Sequence, residues 1–131
     1  MHDDCCTNFQ NAVDDYLVRH RSILDVLSKY QESAARVNRS FAKAVTECGC
    51  VKINAARQQF PSDASYCDLK EFMSTHLSGE LCDNCKETIS TELGHCLFYL
   101  TALCNLAGLK LNSVIRQELT EITALGYFHL S

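Results

Sequence analysis

At 131 residues the chain has the length of one domain and is too short for two independent cores. Hydrophobic residues make up 47% and charged residues 21%, a globular balance that excludes a disordered tail or a fibre. One proline and five glycines are too few for an all-β sandwich, and a formal net charge of −4 argues against a dedicated nucleic-acid binder.

Helical periodicity runs through most of the sequence, so the expected architecture is a single all-α domain over residues 1–131, with 1–7 disordered. Phe9, Val13, Tyr16, Leu17, His20, Leu24 and Leu27 form the apolar face of a first helix, where His20 reads as a core histidine. Ser28 and Gln31 stand at capping-box spacing and predict a break there. A second helix carries Ala34, Val37, Phe41, Val45, Cys48, Val51 and Ala55, ending before Phe60-Pro61. Residues 61–65 read as a loop, 68–77 as a short helix, and 76–84 as an irregular stretch. The strongest pattern spans 84–107, with Ile89, Leu93, Leu97, Leu100 and Leu103 inward and Gly108 as the stop. Cys96 and Cys104 share that apolar face and act as small hydrophobes. A last helix runs from Asn112, its expected N-cap, to Gly126.

The start of the chain, Met1-His2-Asp3-Asp4, is acidic where a signal peptide is basic. The most apolar run, Cys96 to Leu109, is shorter than the ~20 residues a membrane span needs. These features predict a cytoplasmic protein without membrane association. Nine cysteines, an odd number, then read as reduced thiols. Apolar stripes on more than one side predict a homodimer or larger oligomer, with Tyr127-Phe128-His129-Leu130 capping a neighbour's core.

Two helix flanks carry the chemistry. Arg36, Lys43, Glu47, Cys50 and Asn54 share one flank of the second helix, and Glu92, His95 and Tyr99 share one of the 84–107 helix. Antiparallel packing through the apolar stripes is expected to bring Glu47, Cys50, Glu92 and His95 into one groove able to take a divalent metal. Lone glutamates on helix flanks equally read as solvated. Residues 36–57 are basic and 61–95 acidic, a pattern that fits helices attracting one another or a phosphorylated ligand held with a metal.

Cys82-Asp83-Asn84-Cys85 places two thiols at a turn, the spacing that grips one tetrahedral zinc. Cys50, about one helical turn away, and His76 on the preceding segment complete the expected structural zinc site, with Cys48 and Cys67 in reserve. Cys48 and Cys50 lie ~200° apart on a regular helix and cannot both be ligands unless it distorts at Gly49. Unligated thiols are the alternative.

Ala44-Val45-Thr46-Glu47-Cys48-Gly49-Cys50 and Glu92-Leu93-Gly94-His95-Cys96-Leu97-Phe98-Tyr99-Leu100 resemble the two acidic helices of the MazG-like all-α nucleotide pyrophosphohydrolases. The likeness extends to Gly108-Leu109-Lys110-Leu111 and the closing helix. It implies a bundle with two long antiparallel helices, a short connecting helix and a C-terminal helix, completed by dimerisation. It also implies hydrolysis of nucleoside triphosphates, with catalytic Glu47, Glu92 and His95 holding Mg²⁺ or a transition metal. Arg36, Lys43 and Lys86 would bind the phosphates. Thr46 and Cys50 stand where the family has glutamates, and His95 where it has aspartate. The implied activity is therefore an altered or lost form of that hydrolysis, the alternative being a non-catalytic zinc-stabilised helical module that binds a protein partner or senses a nucleotide.

Overall fold

The computed structural model describes residues 4–126 and is mostly α-helical. Five helices, α1 (Cys5–Tyr16), α2 (Ile23–Lys43), α3 (Tyr66–Phe72), α4 (Asp83–Ala107) and α5 (Leu111–Leu125), accompany two three-residue strands, β1 (Val51–Ile53) and β2 (Leu77–Gly79). The strands pair antiparallel, with Val51 opposite Gly79 and Ile53 opposite Leu77. Among the described residues, no single helix is long and apolar enough to cross a membrane.

Order begins earlier than the sequence suggests. Asp4 caps α1 by accepting the backbone N–H groups of Cys6 and Thr7, so residues 4–7 are not disordered. Asn112 donates to the same carboxylate at 2.8 Å. It therefore ties α5 to α1 instead of capping its own helix, which starts at Leu111. The expected contribution of residues 127–130 to a neighbour's core lies outside the described residues.

The first break also moves. Helix α1 stops at Tyr16, and Ser22 caps α2 by accepting the N–H of Leu24. The Arg21 guanidinium secures the turn by donating to the carbonyls of Leu17 and Asp14 and to the Asp14 carboxylate. Ser28, the predicted cap, lies inside α2 and donates its hydroxyl to the Leu24 carbonyl. A serine can satisfy itself in this way one turn into a helix, so capping-box spacing does not fix a helix start. His20 falls in the turn, half-buried and 3.9 Å from Asp25, and is not a core histidine.

Helices α2 and α4 form the backbone of the fold. Val26 clusters with Val13, Leu17 and Ala102 at one end, and Ala44 with Val51, Cys85 and Ile89 at the other. Early residues of α2 thus meet late residues of α4, which makes the pair antiparallel as expected. Small buried side chains (Ser33, Ser40, Ala44, Thr101, Ala102) let the two backbones approach closely. Ser33 and Ser40 are satisfied by carbonyls of their own helix, at 2.7 Å each.

Gly108, at φ +73°, ends α4, and α5 turns away by 104°. Gln10 of α1 pins this elbow. Its amide donates to Asn105 Oδ1 and to the Leu109 carbonyl, and its oxygen accepts the N–H of Leu111. The stretch from Lys52 to Glu80, which includes α3, contains no buried residue and forms an arm held at its two ends. Within it α3 is shorter than the predicted 68–77 helix.

Candidate metal centre

The second helix does not run on to Ala55 as periodicity predicted. After Lys43 the backbone widens into a π-helical turn, Ala44–Cys48, in which the N–H of Gly49 reaches back five residues to the Ala44 carbonyl at 2.9 Å. Gly49 then adopts the left-handed conformation, φ +77° and ψ 12°, and turns the chain into β1. This conformation is open to glycine at no steric cost. The turn breaks the 100° spacing that kept Cys48 and Cys50 apart, and both thiols come to face α4.

The other pair comes from the start of α4. Cys82 is its N-cap, and its sulfur accepts the N–H of Cys85 at 3.4 Å. Cys85, one turn in, is buried with Ala44, Val51 and Ile89. The sulfurs of Cys48, Cys50, Cys82 and Cys85 all lie within 4.8 Å of one another, and Cys48 Sγ is 3.7 Å from Cys82 Sγ. A tetrahedron with ~2.3 Å metal–sulfur bonds has sulfur–sulfur edges of ~3.8 Å, so this arrangement matches a Cys₄ zinc site.

The protonation of the cluster fits a ligand set. The N–H of Cys85 and the neighbouring thiols hold Cys82 down at about 7, as expected of a sulfur at a helix N-terminus. Beside that thiolate, Cys85 acts as a hydrogen-bond donor and is pushed up to about 12, with burial adding to the effect. A metal bound by these sulfurs would take the place of their protons.

Three of the four expected ligands, Cys50, Cys82 and Cys85, therefore meet. The fourth position belongs to Cys48 and not to His76, which lies outside the group. His76 sits in the arm at φ +59°, where its carbonyl accepts the N–H of Asn54 and its own N–H donates to Ser74. That backbone role fixes it in the turn before β2. Cys67 is exposed on α3, well along the arm.

Glycine 79 supports the cluster from behind. It pairs with Val51 at φ +89°, and a Cβ there would come 2.7 Å from the Cys50 carbonyl oxygen. Gly79→Ala should therefore push β2 off β1 and drag Cys50 with it, at a cost of about 1–3 kcal/mol. Loss of metal to a chelator should speed up in this variant. An unchanged release rate would show that the strand pair does not hold the site.

The expected glutamate groove is arranged differently. The α2–α4 register sets Glu92 level with the middle of α2, where it lines two adjoining hollows of about 450 and 520 Å³ with Glu32 and Arg36. His95 and Tyr99 extend the first hollow, and Arg39 and Lys43 the second. Glu47 is exposed on the π-helical turn and lines neither hollow. The carboxylate that shares these hollows with Glu92 is Glu32, not Glu47, and Cys50 belongs to the sulfur cluster. Among the described residues, only the four thiols converge as a set of metal-ligating side chains. Glu32 is already engaged by Arg36 at 3.1 Å and Lys29 at 3.4 Å, which hold its carboxyl below the usual range. Glu92 Oε2 is buried and has no hydrogen-bond partner. Arg36 lines both hollows and Lys43 the second, whereas Lys86 is exposed in the first turn of α4.

Compared with protein-family models, curated proteins and solved structures, the chain matches none. The fold and the site define a mostly helical protein with a four-thiol centre.

Proposed function

We propose that the chain is a zinc-stabilised helical module whose metal is structural and whose role is to bind other molecules. The observation that carries this reading is the convergence of Cys48, Cys50, Cys82 and Cys85. Four protein thiolates fill a tetrahedral zinc completely and leave no position for water or substrate, the mark of a structural site. A reducing compartment such as the cytoplasm keeps these thiols available to the metal.

The test is mass spectrometry of protein purified without added metal. Native spectra should show one zinc per chain, and alkylation should spare Cys48, Cys50, Cys82 and Cys85 until a chelator is added. Metal-free purified protein in which Cys48, Cys50, Cys82 and Cys85 all react in the folded state would overturn the proposal.

A second reading is favoured by one observation, the buried and unpartnered Oε2 of Glu92 in the α2–α4 groove. Together with the MazG-like resemblance of the α4 sequence, it supports a site for a phosphorylated small molecule such as a nucleotide. There Arg36 and Lys43 would meet phosphate and Glu92 with His95 would meet a divalent cation. Pyrophosphate release from nucleoside triphosphates with Mg²⁺ or Mn²⁺ would favour that reading.

A further inference from the structure

The four sulfurs are not equally placed. Cys48 is exposed on the π-helical turn, whereas Cys85 is buried with Ala44, Val51 and Ile89. Between these extremes lie Cys50 and Cys82, both half-buried. A small oxidant arriving from solvent therefore meets Cys48 first. The sulfur of Cys82 stands 3.7 Å from it, on a different element of the fold. A disulfide bond is about 2.05 Å long, so the two sulfurs need to close by roughly 1.7 Å. The turn has room for that movement, because a Cβ built on Gly49, the residue after Cys48, would meet no atom within 4 Å. A bond from Cys48 to Cys85 would instead draw Cys85 out of its apolar cluster.

We propose that the cluster is a peroxide-responsive switch, in which oxidation joins Cys48 to Cys82 and expels the metal. The inference rests on the reading of the four thiols as a zinc site. A zinc-bound thiolate keeps a lone pair and remains a nucleophile. The Cys48 thiolate attacks hydrogen peroxide, the O–O bond breaks, and hydroxide leaves while the other oxygen stays on sulfur as a sulfenic acid. The Cys82 thiolate then attacks that sulfur. The S–S bond forms, the S–O bond breaks and a second hydroxide leaves. Two protons from solvent convert both hydroxides to water. The two sulfurs have lost two electrons and the peroxide has gained them, while zinc leaves with its charge unchanged.

Cys50 and Cys85 then stand alone, and two thiols are too few to hold a tetrahedral zinc against water. Cys85 takes up a proton and stays in its cluster as a small hydrophobe. The new bond spans the same arm that the metal closed, so covalent closure replaces the ion and the helices keep their places. A thiol such as glutathione reverses the step. It is oxidised to its own disulfide, and Cys48 and Cys82 return as thiols able to bind zinc again.

The test treats the zinc-loaded whole chain with hydrogen peroxide beside a zinc indicator, then locates disulfides by fragmenting unreduced peptides. Zinc content before peroxide reads the metal assignment, and release with the disulfide reads the switch. The expected result is complete release of the zinc, a Cys48–Cys82 bond, Cys50 and Cys85 still open to alkylation, and helical circular dichroism retained. Glutathione should restore zinc binding. Zinc that stays bound while Cys48 and Cys82 remain unlinked would overturn the switch and leave the zinc site standing. Release with a Cys82–Cys85 bond, or with irreversible sulfinic acid at Cys48, would overturn it too. Protein without zinc before peroxide would overturn the zinc reading and the switch built on it. Cys67, exposed on α3 and outside the cluster, is the control. Cys67→Ser should release zinc at the wild-type rate, and slower release would show that the oxidant enters through Cys67 and not through Cys48.

Discussion

Cys85→Ser should abolish metal retention and lower the thermal midpoint by roughly 10 °C or more. Cys85 is the ligand that is also a core residue, packed with Ala44, Val51 and Ile89. A serine hydroxyl is a poor substitute for a thiolate toward zinc, and it would bring an unpaired polar group into that cluster. Calorimetry and metal analysis of wild type, Cys85→Ser and Cys104→Ser check the expectation. Cys104 is buried far along α4, so its replacement should release no metal. Equal midpoints and metal contents for Cys85→Ser and wild type would remove the cluster from the stability of the fold.

The same site sets a pH dependence whose sign can be worked out. Cys82, held at about 7 against an ordinary 9.0, stabilises the metal-free fold above pH 9, and that contribution is lost as pH falls through about 7. Cys85, pushed up to about 12, contributes below pH 9 and loses its contribution as pH rises toward 12. Metal binding needs both as thiolates, so metal affinity should fall steeply as the solution is acidified below about pH 7. A competition titration against a zinc indicator at pH 6 and pH 8 measures the difference.

Val26→Asp should prevent folding. Val26 is fully buried where α1, α2 and α4 meet, in contact with Val13, Leu17 and Ala102. An unpaired carboxylate there costs roughly 4 kcal/mol or more, a large part of the 5–15 kcal/mol that holds a typical domain together. Val26→Ala, which only opens a small cavity, should cost about 2 kcal/mol and leave a folded chain. Far-UV circular dichroism at 25 °C separates the two. A helical Val26→Asp protein would show that this cluster is not the centre of the fold.

The long helix α4 and its glycine stop were legible because apolar residues recur through its twenty-five residues, but Leu93 and Leu97, expected inward, are exposed. The antiparallel pairing of α2 and α4 followed from the same stripes. Their register did not, because an apolar stripe is nearly invariant to sliding by a turn or two. Small residues such as Ser33, Ser40 and Ala102 fix it by close approach, and those do not stand out in a hydrophobicity pattern. Glu32 escaped notice because the predicted break at Ser28 placed it at a helix start. Its i, i+4 spacing to Arg36 was the available signal. Cys82-x-x-Cys85 was legible as a metal motif. Cys48 stood only in reserve because a regular helix through Gly49 would hold it ~200° from Cys50, and the glycine between the two cysteines is the residue that permits the departure. The three-residue strands are shorter than any periodicity test can resolve, and they pair between Cys50 and Cys82.

The arm from Lys52 to Glu80 has Cys50 just before it and Cys82 just after it. A metal held by both, as proposed, would act as a clasp on a necklace: it would close the loop, and the beads between need not hold each other. The entropy of closing such a loop grows only with the logarithm of its length, so doubling it costs about 0.6 kcal/mol. Residues 54–76 would thus be released from the work of folding, and their sequence and length could change while α1, α2 and α4 stay as they are. Insertions at the arm's tip should be tolerated where a single added residue in α2 would slip the whole helix pair out of register.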